Sequence, residues 1–203
     1  MSTHPVLGFS EIDLERRQFL GVGGDMKSGF VDNEVAPTNG FLLGANLKFL
    51  KSLQTEEDVT NWGVNAQAYL TLLTRPQIVL ANNIGYEQVL GEPQFYQYAD
   101  LGNTTNLRGF RNNRFRGETA FYHNIDLRIR LAQWDNRVLP MDVGILTGYD
   151  YGRVGIDDID SDIWHNSQTV GVWFNILGLA VLQPYYSFTD EENTFTFKMG
   201  FNF

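Results

Sequence analysis

At 203 residues the chain can hold one sizeable domain, and it contains no cysteine, which excludes a disulfide framework, a thiolate metal site and a cysteine nucleophile. Its net charge of −9 argues against a nucleic-acid partner, whose phosphates call for clustered positive charge. No run approaches the ~18 consecutive apolar residues of a membrane-spanning helix.

The sequence opens MSTHPVLGFSEID, without the basic and apolar regions of a signal peptide, so an exported protein is expected to have more sequence than this. From there on, period-two alternation dominates and helical periodicity is nearly absent. A first strand reads over 17–31; its GVGG (21–24) opens no helix, so it is not a phosphate loop, and the small residues relieve crowding. In FLLGANLKFL (41–50), Phe41, Leu43, Ala45, Leu47 and Phe49 share one face, with Asn46 and Lys48 on the other. WGVNAQAYLTLL (62–73) sets Val64, Ala66, Ala68, Leu70 and Leu72 against Asn65, Gln67 and Thr71. A fourth strand reads over 77–91 and is followed by a long polar stretch to 118. FYHNIDLRIRL (121–131) alternates most cleanly, with Ile125, Leu127, Ile129 and Leu131 opposite Asn124, Asp126, Arg128 and Arg130. Strands over 138–155, 167–177, 179–190 and 194–203 complete the series.

These nine strands run about 10–16 residues, longer than the ~5–6 of ordinary globular strands and suited to the ~9–11 that cross a bilayer. Short turns are expected after strands three, five, seven and eight, and long polar loops at 92–118 and 155–163, which reads as short turns at one end of a barrel and long loops at the other. Phe121, Tyr122, Tyr149, Tyr151, Trp164, Tyr185, Tyr186 and Phe188 gather near strand ends, as in interfacial girdles. Alternation alone also fits a soluble β-sandwich. The final TFTFKMGFNF favours a barrel, because Phe195, Phe197, Met199, Phe201 and Phe203 fall on one face of an exposed edge; that stripe is expected to face lipid.

Candidate sites other than the long loop are weak. His4, His123 and His165 lack metal-site spacing, and no cofactor is expected. DDIDSD (157–162) alternates acids as calcium loops do, but lacks the glycine and distal glutamate; a solvated extracellular loop is expected, with divalent bridging to lipopolysaccharide as the alternative. No serine sits in a G-x-S-x-G setting, and no Ser/His/Asp cluster is apparent, so no enzyme is expected.

The stretch LRGFRNNRFRGE (107–118) holds four arginines in an acidic chain. Charge alone suggests an exposed basic loop that binds anionic lipopolysaccharide headgroups or nothing. LRGFRNNRFRGETAFYHNIDLRIRL (107–131) resembles the BamA/TamA/FhaC superfamily of outer-membrane assembly and secretion barrels, the bacterial surface antigen family, through Arg108-Gly109-Phe110. GYDYGRVG (148–155), with Asp150 and Gly152, is similar to a later strand motif of that family, and SDIWHNSQTVGVWFNILG and TFTFKMGFNF look like its closing strands. RFRGETAFYHN with SDIWHN is most similar to members from the Bacteroidetes, some of which carry an N-terminal metallophosphoesterase domain. Two departures stand out: Gly148 replaces a usual aromatic, and Asp126 a common glutamate.

The resemblance implies an all-β, antiparallel transmembrane barrel in the bacterial outer membrane, of which residues 1–203 are the C-terminal segment, about nine of sixteen strands. It implies that the loop at about 92–118 folds into the lumen, where Arg108 meets Asp150, on the same parity as Asp142, Gly144 and Gly152, with Asp126 and Gly152 also at the docking site. Lumen acids would then balance the arginines, and Gly144, Gly148 and Gly152 would leave room. Phe197, Met199, Gly200, Phe201 and Phe203 match the C-terminal β-signal. The implied task is inserting or translocating β-rich client proteins. The implied partners are outer-membrane lipids and lipopolysaccharide, the clients, and periplasmic or lipoprotein accessory subunits. A membrane anchor for an upstream phosphoesterase-like domain, or a passive small barrel, is the alternative.

Overall fold

The computed structural model describes residues 18–137, 139–156, 163–201 and 203. Nine long strands form one antiparallel sheet whose spatial order follows the chain: β1 (Phe19–Val31), β2 (Gly40–Ser52), β3 (Asp58–Thr74), β4 (Gln77–Gly91), β7 (Thr119–Trp134), β8 (Met141–Gly155), β9 (His165–Ile176), β10 (Ala180–Phe188) and β11 (Asn193–Met199). Between β4 and β7 the loop builds a ribbon of its own from β5 (Ala99–Leu101) and β6 (Phe115–Gly117). Among the described residues the sheet is not closed: β1 pairs only with β2, and β11 only with β10.

Strong curvature brings the β1–β2 turn across the sheet, so that Val35 and Ala36 pack on a cluster of Leu146, Trp173 and Val181. The two faces reverse the soluble arrangement, in which the apolar side is hidden. The inner face is polar and buried, with Asn83, Asn124, Asp126, Arg128, Asp150, Ser167, Thr169, Gln183 and Ser187. The outer face exposes Leu43, Val64, Leu70, Ile84, Val170, Phe195 and Phe197. Alternation therefore sorts the side chains as expected, with the apolar set outside. The fold is thus all-β and antiparallel, and it fits part of a barrel.

Three expectations need correction. The turn after β10 (189–192) is short, yet it lies at the same end as the long loop, because strand direction alternates and an even number of sheet strands separates the two connections. Among the aromatics, Phe121, Tyr149, Tyr151 and Trp164 do cluster on the outer side, with ring centroids 5.7–6.3 Å apart. Tyr122 and Tyr185 point inward instead: Tyr122 lies over Gly85, and Tyr185 is 2 % exposed against Gly171. Finally, β11 ends at Met199, so Phe201 and Phe203 leave the outer stripe. Gly200 adopts φ +91°, a conformation that favours glycine, and the chain turns inward there.

The β1–β2 connection holds its shape through one carboxylate. Asp32 accepts from the backbone N–H groups of Thr38 (2.8 Å) and Asn39 (3.0 Å) and from the Thr38 hydroxyl. Burial alone would raise its pKa, but the Thr38 hydroxyl and the two N–H groups outweigh that and hold the carboxyl below its ordinary value. The unfolded chain releases this proton at the higher, ordinary value. The stabilisation is therefore present above the ordinary carboxylate range and is lost as pH falls through the lower folded value. Asp32→Ala should lower the melting temperature at pH 7, and the gap to the parent should begin to narrow as pH falls below about 4. A gap of the same size at every pH from about 7 down to about 2 would assign the loss to packing instead.

Candidate functional site: the inner face and its docked loop

The site is the polar inner wall of β4, β7, β8, β9 and β10 with the 92–118 loop folded onto it. Asp126 on β7 and Asp150 on β8 occupy even positions, so both project to the inner face. Asp126 is the cross-strand partner of Gly148, and Asp150 of Asn124. Arg108 enters from the loop and is 1 % exposed; both carboxylates are 0 % exposed. Its Nε donates to Asp150 Oδ2 at 2.6 Å and its Nη2 to Asp150 Oδ1 at 2.5 Å, a two-pronged grip. Nη2 also donates to Asp126 Oδ1 at 2.7 Å, and the Arg108 backbone N–H donates to Asp150 Oδ2 at 3.1 Å. Burial alone would favour loss of the guanidinium proton; Asp126 and Asp150 outweigh it, and the shift is upward, toward the charged form.

Gly148 has a specific task. A Cβ there would stand 2.5 Å from both Arg108 Nη2 and Asp126 Oδ1. A short acid thus leans over a glycine, and the guanidinium fills the space a side chain would take. Gly152 makes room for Leu101 of the loop, whose Cδ1 would lie 3.0 Å from an added Cβ. Gly144 corrects the expectation, because its space is taken by the Trp173 ring, at 2.4 Å, and not by the loop. Gly109 has φ +87°, and a Cβ on it would stand 2.7 Å from Thr189 Cγ2 and 2.9 Å from Ser187 Cβ. The Arg108–Phe110 turn therefore seats its glycine directly against β10.

Apolar burial seals the rest of the loop. Ala99, Leu101, Leu107 and Phe110 pack with Val59, Val89 and Ala120 of the wall in one buried cluster. Phe110 and His165 meet edge to face, and Phe115 stacks on His165 at 3.5 Å. Asn124 Nδ2 donates to the Asn106 carbonyl (2.8 Å), and Asn83 Nδ2 donates to Asn124 Oδ1 (3.1 Å). These two asparagines were not among the expected docking residues. Their inward parity and their place beside Asp126 are the signal that could have found them.

The remaining arginines correct the idea that lumen acids balance them all. Arg111 pairs with Glu192 (3.1 Å) and Arg114 with Glu191 (2.7 Å), both in the β10–β11 turn. Arg116 donates to the Phe95 carbonyl at 2.9 Å and lies over the Phe95 ring. Glu191-Glu192 marks a turn in the sequence, and its charge is also the complement of the arginine loop.

Of the expected β-signal, Phe197 and Met199 remain on the outer face, while Phe201 and Phe203 lie inside. Among the described residues no group of three or more His, Cys, Asp or Glu is arranged to hold a metal ion. His123 hydrogen-bonds Tyr151 (2.9 Å) and Asn82 (3.3 Å) on the outer face. His4 and the acidic run 157–162 lie outside the described residues. No family model and no curated protein matches the chain.

Proposed function

We propose that the chain forms the C-terminal part of an outer-membrane β-barrel that inserts or translocates β-rich client proteins, as the resemblance to the BamA-type superfamily implies. The observation that carries this reading is the Arg108–Asp126–Asp150 root, which fixes a long loop inside the polar concavity. A passive pore keeps that space for water; here Leu101, Leu107 and Phe110 fill it with buried apolar groups. The exposed apolar outer face is suited to hydrocarbon, and the Phe121–Tyr151–Trp164 cluster to an interface. On this reading the chain's work is binding and passage of polypeptide, not catalysis, in contact with outer-membrane lipids and lipopolysaccharide and with periplasmic or lipoprotein accessory subunits.

Strand direction supports a larger barrel. β1 and β11 both run from the long-loop end to the short-turn end. For every neighbour in a closed ring to be antiparallel, an odd number of further strands has to stand between them, giving an even total. Seven added to these nine gives the sixteen of the resembled family. Until such closure the edge of β11 is free to pair with an incoming strand.

The test uses the whole protein, with whatever precedes residue 1, in lipid vesicles of outer-membrane composition. Urea-unfolded small β-barrel is added, and its folding is followed by the gel shift of the folded form. The protein should accelerate folding over empty vesicles, and Arg108→Ala should remove most of the gain. No acceleration, together with a large steady single-channel conductance, would turn the reading to a passive pore.

A further inference from the structure

The outer face carries a dent near its long-loop end. Strand register lines up the outward residues in rows across the sheet. Met26, Ala45, Val64 and Tyr86 lie in one row, and Leu43, Ala66 and Ile84 in the next. Ala45 on β2 and Ala66 on β3 are the short members. Over them opens a cavity of about 530 Å³, walled by Met26, Leu43, Ile84 and Tyr86. Trp62 stands 5.6 Å from the Tyr86 ring, on the long-loop side. Phe121, which also lines the cavity, joins it to the Tyr151–Trp164 cluster.

A polar ladder borders this dent. Ile84 is the cross-strand partner of His123, and Asn82 is the next outward residue along β4. Asn82 Oδ1 can only accept, so the imidazole proton sits on Nε2 and is donated to it at 3.3 Å. Nδ1 then accepts from the Tyr151 hydroxyl at 2.9 Å. This settles the imidazole and the hydroxyl and leaves Asn82 Nδ2, which makes no hydrogen bond among the described residues. Water would satisfy such an amide. Against hydrocarbon it is costly until an acceptor arrives.

We propose that the dent and the Asn82 amide together form a binding site for lipopolysaccharide, with one acyl chain in the dent and an oxygen borne on that lipid's chains accepting from Asn82 Nδ2. This rests on the outer-membrane reading above. Two observations select the ligand. The dent adjoins the aromatic residues of the long-loop end, which on that reading is the cell-surface side, where lipopolysaccharide forms the leaflet. The amide calls for an acceptor among the chains. A glycerophospholipid has oxygens only at the head of its chains, whereas lipopolysaccharide also carries hydroxyl and secondary ester oxygens along them. Within a bilayer an acyl chain gains by close packing and not by leaving water, so walls on several sides hold it better than a flat sheet does. The site lies on the outer side of β1–β4, where closure of the barrel by further strands leaves it open.

The probes are purified deep-rough lipopolysaccharide and phosphatidylglycerol, titrated into the whole protein in detergent micelles, with bound copies counted by native mass spectrometry. The parent should hold one lipopolysaccharide roughly tenfold more tightly than phosphatidylglycerol, the scale of one hydrogen bond made in an apolar setting. Asn82→Leu keeps the size and removes the amide; it should cancel that preference and leave phosphatidylglycerol binding unchanged. Ala66→Phe fills the dent and should weaken lipopolysaccharide at least as much. Val172→Phe puts the same ring on the outer face of β9, away from the dent, and should change nothing. Both test positions face outward, on different strands, so the second variant decides if the first does not fold. Equal affinity of the parent for the two lipids overturns the proposal, and so does a preference that survives Asn82→Leu or Ala66→Phe. Either result with client folding intact defeats this site alone. A protein that stays dispersed without detergent and enters no vesicle defeats the outer-membrane reading, and the site with it.

Discussion

Arg108→Ala should loosen the docked loop by about 3–5 kcal/mol, the usual consequence of removing one partner from a buried ion pair. The arrangement sets an order among variants that a simple pair does not. Without Arg108, two fully buried carboxylates lose their hydrogen-bonded partner, leaving Arg128, 3.9 Å from Asp126, and Lys198, which acts on both through space. Without Asp150, Arg108 keeps its 2.7 Å hydrogen bond to Asp126, so one carboxylate stays paired. Asp150→Ala should therefore cost less than Arg108→Ala. The Arg108→Ala/Asp150→Ala double variant should cost less than Arg108→Ala alone, since it removes one of the two stranded carboxylates. Hydrogen exchange of the loop amides in vesicles reads this directly. Losses that simply add in the double variant would sink the pairing. Complete release of the loop is not expected, because Leu101, Leu107 and Phe110 remain buried against the wall.

Gly148→Ala should come second, at about 1–3 kcal/mol with a matching rise in loop exchange, as overpacking of a close-fitted interior does. The added carbon would stand 2.5 Å from Arg108 Nη2 and from Asp126 Oδ1, two atoms already 2.7 Å apart in a hydrogen bond. Neither can retreat, since Arg108 is gripped by Asp150 and Asp126 stands on the neighbouring strand. Gly24→Ala is the control: it adds the same carbon to a glycine in a strand of the same sheet, but with nothing within 4 Å. If both substitutions have the same effect, the space over Gly148 is not what matters.

The sheet was legible because period-two alternation survives in almost every strand, and because a one-residue slip would invert both faces. FYHNIDLRIRL gave the parity that sends Asp126, Arg128 and Asn124 inward, and GYDYG did the same for Asp150. What alternation could not show is where it stops. TFTFKMGFNF keeps its pattern through Phe203, but Gly200 turns the backbone, so the last two phenylalanines change sides without any break in periodicity. Tyr122 and Tyr185 sit on inward parity, and grouping aromatics by their nearness to strand ends hid this. The partners of Arg111 and Arg114 were invisible for another reason. They lie 81 and 77 residues downstream in a turn whose shortness suggests one end of the sheet while strand direction puts it at the other.

The loop is held at two places of unequal strength, and this gives the molecule a fixed sequence of failure under load. Its root is dry: three charges, all at most 1 % exposed, with close hydrogen bonds. Its outer hold is wet. Arg111 and Arg114 touch Glu192 and Glu191 as exposed pairs, and Lys198 on β11 donates to the Thr104 carbonyl at 3.1 Å. Exposed pairs resist little and weaken with salt. A force that peels the last hairpin from the sheet therefore parts the outer hold first and leaves the root engaged. The loop then behaves as a fixed jaw and the last hairpin as the moving one, with ionic strength setting the ease of the first movement.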